Sequence, residues 1–196
     1  MTLGITPSQT VGPYFAYGLT PNGKYAWKDT FGNNLITSDA AGERIRIEGQ
    51  VFDADGAPVT DSMLEIWQAD AQGRYANPAD PRPRNSTFQG FGRTGTDGDG
   101  RFVFDTIKPG SVPGPDDKPQ APHILVAVFA RGMLRQSYTR IYFGDEPGNA
   151  DDPILALVPA DRRATLIAAK SVTNGHPVYT FDIRLQGDAE TVFFEI

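Results

Sequence analysis

Two histidines, His123 and His176, are the only imidazoles in this 196-residue chain from which to build a metal site or a proton shuttle. There is no cysteine, which excludes thiolate zinc sites, iron–sulfur clusters, thiol nucleophiles and disulfides together. A metal site would have to combine His123 with tyrosine or carboxylate oxygens. At the head of an apolar strand, such a histidine is more often a packed, hydrogen-bonded structural residue. Arg131 follows the same apolar run and is flanked by Phe129, Met133 and Leu134. A guanidinium does not shed its proton, so burial there would require a paired anion. The partner is either an internal carboxylate or an anionic substrate, unless the side chain snorkels to solvent. Two acidic turns, Asp53-Ala-Asp-Gly56 and Asp97-Gly-Asp-Gly100, open like calcium loops, but the twelfth positions hold Leu64 and Lys108 instead of glutamate. They read as tight turns in which aspartate caps its own backbone. No Gly-x-Ser-x-Gly elbow, phosphate-binding loop or dinucleotide fingerprint is present.

The elements that must position these residues are short and β-patterned. Glycine (21) and proline (16) punctuate the chain, and few segments keep a helical period. Ile45, Ile47 and Val51 alternate with Arg44, Arg46 and Gln50 in the manner of a half-buried strand. Further strands are expected over 63–69, 101–107, 123–131, 138–143, 165–172, 178–185 and 191–196, with Asn174-Gly175 as a hairpin turn. The run His123–Ala130 is apolar on both faces and predicts a central strand ended by Arg131. Residues 71–93 form a loop too long for a hairpin. The expected fold is all-β, a sandwich or related barrel over 41–196, preceded by an extended N-terminal arm over 1–40. Tyr14, Phe15, Tyr17, Tyr25 and Trp27 give that arm enough aromatic surface to dock on the body or on a neighbouring chain. A net charge of −6 is the wrong sign for a nucleic-acid groove. No basic region followed by an apolar run opens the chain and no stretch approaches membrane-spanning length, so a soluble, cytoplasmic protein without membrane contact is expected.

Seven segments together resemble the intradiol ring-cleaving dioxygenases: Thr6-Pro-Ser-Gln-Thr-Val-Gly-Pro-Tyr14, Ile47-Glu-Gly-Gln-Val-Phe-Asp53, Leu64-Glu-Ile-Trp-Gln-Ala-Asp70 with Gly73-Arg-Tyr75, Gly92-Arg-Thr-Gly-Thr-Asp97, Thr106-Ile-Lys-Pro-Gly110, Ala121-Pro-His-Ile124 and Glu190-Thr-Val-Phe-Phe194. The resemblance runs in order over nearly the whole chain. It implies the β-sandwich of that family and a non-haem ferric ion held by two tyrosines and two histidines. Tyr75 falls at the first tyrosine and His123 at the first histidine. Val112 stands in place of the second tyrosine, Leu125 in place of the second histidine, and Gln120 in place of an arginine. Valine and leucine offer a metal no lone pair. This pattern resembles the iron-free alpha-type chain of members built from two unlike subunits, with Fe(III) on the beta subunit.

The resemblance further implies that this chain supplies part of the wall of its partner's pocket. Thr10, Gly12, Pro13 and Tyr14 of the arm, with Arg131, are then expected to bind substrate, and no metal ligand or catalytic group is expected here. The implied substrates are 3,4-dihydroxybenzoate and O2, and Arg131 suits the carboxylate. A competing resemblance, carried by Gly49–Val59, is to transthyretin-like or carboxypeptidase-regulatory-like sandwich modules that bind ligands without catalysis.

Overall fold

In the computed structural model, residues 17–20, 31–84 and 86–195 are described. Their strands are β1 (Arg44–Phe52), β2 (Met63–Gln68), β3 (Phe91–Gly95), β4 (Arg101–Ile107), β5 (Val112–Pro113), β6 (Pro119–Gln120), β7 (His123–Phe129), β8 (Ser137–Phe143), β9 (Ile167–Thr173), β10 (His176–Thr180) and β11 (Ile183–Arg184). Two layers result. One carries β4, β1, β10 and β9, with β11 alongside the end of β1; the other carries β3, β2, β7 and β8. The layers meet where β8 and β9 pair in parallel over two positions, Tyr142 with Ile167 and Phe143 with Ala168.

Period-two alternation decides which side chains enter the space between the layers. Ile45, Ile47 and Val51 of β1, with Phe102 and Phe104 of β4, face Leu64 and Ile66 of β2 and Ile124, Val126 and Val128 of β7 in one core. Fully burying a side chain of this size is worth roughly 1.5–3 kcal/mol. Leu35 joins this core from the segment before β1, and Asn34 bridges Asp105, so the last residues of the expected arm lie against the body. Tyr14, Phe15, Tyr25 and Trp27 fall outside the described residues, whereas Tyr17 is exposed.

The turns form as their chemistry dictates. Asn174 and Gly175 have φ of 52° and 79°, and β9 and β10 pair directly on either side of them. The Asp53 carboxylate accepts from the backbone of Asp55 (3.0 Å) and Ala57 (2.8 Å). Asp97 does the same for Asp99 (2.9 Å) and Arg101 (2.8 Å).

Three expectations are corrected. The 71–93 loop is shorter, because Phe91–Gly95 pairs with β2 as an edge strand. The single strand expected over 178–185 is interrupted at Phe181-Asp182, between two stretches that pair with β1 in one parallel register. There the Phe181 backbone N–H donates to Glu48 O (2.8 Å) and the Asp182 carboxylate accepts from Gln50 N–H (3.0 Å). Only Gly49 permits that close approach, since a Cβ at residue 49 would lie 1.9 Å from the Phe181 carbonyl oxygen. The tail from Thr191 is not a strand: it makes one bridge, Phe194 to Tyr138. Thr191 N–H donates to Arg184 O (2.9 Å), and Val192 is held by side chains, its N–H on Thr165 Oγ1 (3.2 Å) and its O accepting from Thr139 Oγ1 (2.8 Å).

Candidate functional site

Strand β7 carries the candidate residues at its two ends. At its start His123 is buried, and its Nδ1 lies 2.8 Å from the Ala121 carbonyl oxygen. Beside it on β8, Tyr142 donates to Asp152 Oδ1 (3.1 Å), while Asp152, itself buried, also accepts backbone N–H groups from Ala121 (2.7 Å), Ile154 (2.9 Å) and Leu155 (2.7 Å). Arg140 Nη1 donates to Gln120 Oε1 (2.7 Å) and to the Tyr142 hydroxyl (3.3 Å). Burial, reinforced by the Arg140 charge, pulls the His123 pKa from 6.5 down to about 4. Burial also raises the Tyr75 and Tyr142 hydroxyls, with Arg140 opposing it at both.

Tyr75 is delivered to this end by a loop that Asp70 organises. The buried Asp70 carboxylate takes Gln72 N–H (2.9 Å), Arg74 N–H (3.0 Å) and Arg74 Nε (3.1 Å). Gly73 has φ +72°, and a Cβ there would meet the Ser111 carbonyl oxygen at 1.8 Å, so the loop can seat only glycine against the backbone at Ser111. Beyond it the Tyr75 ring stacks on Trp67 of β2, with centroids 6.0 Å apart and planes 10° apart. Trp67, Tyr75, Asp80, Arg82, Val112 and Gln120 line a cavity of about 560 Å³. Gln120 ties the cavity wall to Arg140 and, through its amide nitrogen, to Pro113 O (2.9 Å).

At the far end of β7 lies Arg131, about 27 Å away along the strand for eight residues at the usual rise. It occupies a turn closed by Met133 N–H on Ala130 O (3.2 Å), and its side chain is 79% exposed, paired with Asp61 at 3.2 Å from Nε. Of the alternatives open from its neighbours, exposure beside a carboxylate of the chain is the one found: the turn carries Arg131 out of the sandwich, and Leu134 is exposed with it. Thr10, Gly12, Pro13 and Tyr14 lie outside the described residues. His176 is on an exposed stretch of β10, in the other layer from His123.

A dioxygenase family model matches residues 11–187. The chain belongs to the intradiol dioxygenase family. It is 50% identical to the protocatechuate 3,4-dioxygenase alpha chain of Burkholderia cepacia, covering 100% of this chain and 99% of that one. It is 45% identical to the alpha chain of Pseudomonas putida over 97% of this chain and 96% of the other. The beta chain from Burkholderia cepacia is 38% identical, covering 79% of this chain and 69% of its own length. Among solved structures, the dioxygenase domain of a dioxygenase carbohydrate-binding protein fusion from Streptomyces sp. SirexAA-E superposes with a TM-score of 0.63 at 27% identity, covering 93% of this chain and 99% of that one.

Intradiol dioxygenases imply a non-haem iron, and the residues at the head of β7 do not fit one. Val112 is buried in the cavity wall with no lone pair to give, and Leu125 sits in the ladder between Trp67 and Arg140. Tyr75 and His123 alone leave an intradiol ligand set half empty, and the Arg140 cation stands beside them. Among the described residues no group of three or more His, Asp or Glu is placed to hold a metal.

Three residues of this architecture carry no signal in the sequence. Asp152 reads locally as a loop aspartate before proline, Arg140 as the outward member of an alternating strand, and Asp61 as a turn residue. Arg140 gains its role from the pairing of β7 and β8, Asp61 from the approach of the turns beyond β2 and β7, and Asp152 from the packing of its turn against Ala121 and Tyr142.

Proposed function

We propose that this chain is the alpha subunit of a protocatechuate 3,4-dioxygenase, a hetero-oligomer of alpha–beta pairs in which the beta chain holds the Fe(III). The observation that carries this reading is the half-lost ligand set: Val112 and Leu125 occupy ligand positions in a chain whose likeness to alpha chains spans its full length. The reaction is cleavage of 3,4-dihydroxybenzoate between its hydroxyl-bearing carbons, both atoms of O2 entering the product, 3-carboxy-cis,cis-muconate. The pair works in the cytoplasm on a small soluble aromatic acid.

This chain's part is binding and orientation. Arg131, held out on its turn, meets the substrate carboxylate with a permanent charge and a planar fork of donors. The arm over residues 1–40, ahead of the sandwich over 41–196, brings Thr10, Gly12, Pro13 and Tyr14 to the same pocket. Gly12 and Pro13 allow close backbone approach, and Tyr14 offers a ring and a hydroxyl.

The test is the iron-to-polypeptide ratio of the complex captured through this chain, with the accompanying chain identified by mass. One iron per two unlike chains is expected. One iron per copy of this chain alone would show that Tyr75 and His123 are ligands after all and would overturn the reading.

A further inference from the structure

We infer that Asp61 is the positioning residue for Arg131: its carboxylate, 3.2 Å from Nε, holds the guanidinium over the turn by charge. This rests on the proposed role of Arg131 in substrate binding.

The placement is a product of register. Strands β2 and β7 run antiparallel with Met63 opposite Phe129. Two residues further out, the same ladder sets Asp61 opposite Arg131, and Asp61 Oδ2 lies 3.2 Å from Arg131 Nε. Both flanks are anchored. On the Asp61 side, Ser62 is buried, donating its N–H to Thr96 Oγ1 (3.0 Å) and accepting Thr96 N–H at its carbonyl (2.9 Å). On the Arg131 side the turn closes on Ala130, with Gly132 at φ +88°. Among the described residues Asp61 is the only polar partner of the Arg131 side chain, and the Asp61 carboxylate makes no other polar contact.

A side chain 79% exposed on a turn samples many rotamers when free, and a substrate must collapse them to one. Nε and the two Nη atoms lie on different edges of the guanidinium plane. A carboxylate held beside Nε by charge, without a hydrogen bond to it, therefore restricts where the guanidinium lies while leaving the Nη donors to a second carboxylate. Asp61 also carries a negative charge, which weakens the attraction for an anionic substrate. The two effects act in opposite directions on KM, and the sign of the change on substitution shows which one wins. Asp61→Asn keeps the size of the side chain and removes the charge that makes the pair; Asp61→Ala removes both.

The experiment is steady-state O2 uptake by the complex of both chains, with 3,4-dihydroxybenzoate and with catechol, which lacks the carboxylate. The variants are Asp61→Ala, Asp61→Asn, Arg131→Ala and the Asp61→Ala/Arg131→Ala double. We expect Asp61→Ala to raise KM for 3,4-dihydroxybenzoate roughly 3- to 10-fold, the cost of ordering one long side chain, with kcat unchanged. Asp61→Asn, which loses the charge, should raise KM to within about 2-fold of the Asp61→Ala value, and Asp61→Ala should add nothing in the Arg131→Ala background. Catechol kinetics should not respond to either Asp61 variant. An unchanged or lowered KM in Asp61→Ala, with KM raised in Arg131→Ala, would overturn the tether and leave the role of Arg131 standing. A catechol KM raised equally would also overturn it, as a general structural effect. An unchanged KM in Arg131→Ala would instead overturn the role of Arg131 on which the inference rests.

Discussion

His123 offers a test of the head of β7 that needs no substrate. Its imidazole is buried, its pKa is pulled from 6.5 to about 4, and burial is the main cause, with Arg140 second. Above pH 6.5 it is neutral in the folded and unfolded chain alike and stability is flat. As pH falls below 6.5 the unfolded chain takes up a proton that the folded chain refuses, so stability declines until the folded group protonates near pH 4. At about 1.4 kcal/mol per pH unit the full loss is roughly 3 kcal/mol, most of it reached by pH 4.5. His123→Asn removes the titration while its amide can still donate to the Ala121 carbonyl oxygen, now served at 2.8 Å. The lost ring costs about 1–3 kcal/mol at neutral pH. The deficit should close as pH falls to 4.5, and the two stability curves should converge by roughly 2.5 kcal/mol. Denaturation of the complex at fixed protein concentration, repeated from pH 7.5 to 4.5, reads this directly, since contributions shared by parent and variant cancel in the difference. An imidazole NMR titration supplies the midpoint. Parallel curves, or a midpoint near 6.5, would refute the account of His123 as a desolvated imidazole beside a fixed cation. The result also bears on metal chemistry: a histidine neutral at pH 7 has a free lone pair, so the protonation state of His123 is no obstacle to a metal.

Two further outcomes are expected. Gly73→Ala should destabilise by about 2–4 kcal/mol, through strain at φ +72° and the contact with the Ser111 carbonyl, and should loosen the Tyr75 loop; denaturant midpoints and limited proteolysis across 71–90 measure both. Val112→Tyr combined with Leu125→His should complete two tyrosines and two histidines at the head of β7, where the cavity of about 560 Å³ that Tyr75 and Val112 line has room for the larger ring. The double variant should take up one additional iron per chain with a visible tyrosinate-to-ferric absorption, and neither single variant should.

How much was legible in advance follows the range of the forces. The alternation of Ile45, Ile47 and Val51, the apolar run from His123 and the Asn174-Gly175 turn are local, and each forms the element its residues favour. Phe91–Gly95, with two glycines and no alternation, becomes a strand only because β2 offers it an edge. Phe181-Asp182 breaks a run that reads as continuous because its backbone presses against Gly49 and a side chain takes the place of a backbone acceptor there. The loss of ligands at Val112 and Leu125 is visible from residue type, whereas the arginine that stands beside the site, Arg140, reaches it from the neighbouring strand. Arg131 shows the limit most clearly. Its neighbours in sequence leave burial and exposure both open, a turn of a few residues decides for exposure, and Asp61 is found only by counting beyond the β2–β7 ladder.

The same ladder has an implication for how this chain tolerates change. Side chains around the Tyr75 cavity can be exchanged one at a time without disturbing Arg131, because they share only a backbone with it. Length is another matter. Inserting or deleting one residue between His123 and Arg131 would send every later side chain to the opposite face, turning the guanidinium away from Asp61 and the core residues Val126 and Val128 out of the sandwich. Strand β7 thus behaves as a ruler whose markings can be repainted but whose length is fixed, and natural variation among chains of this build should appear there as substitutions and not as gaps.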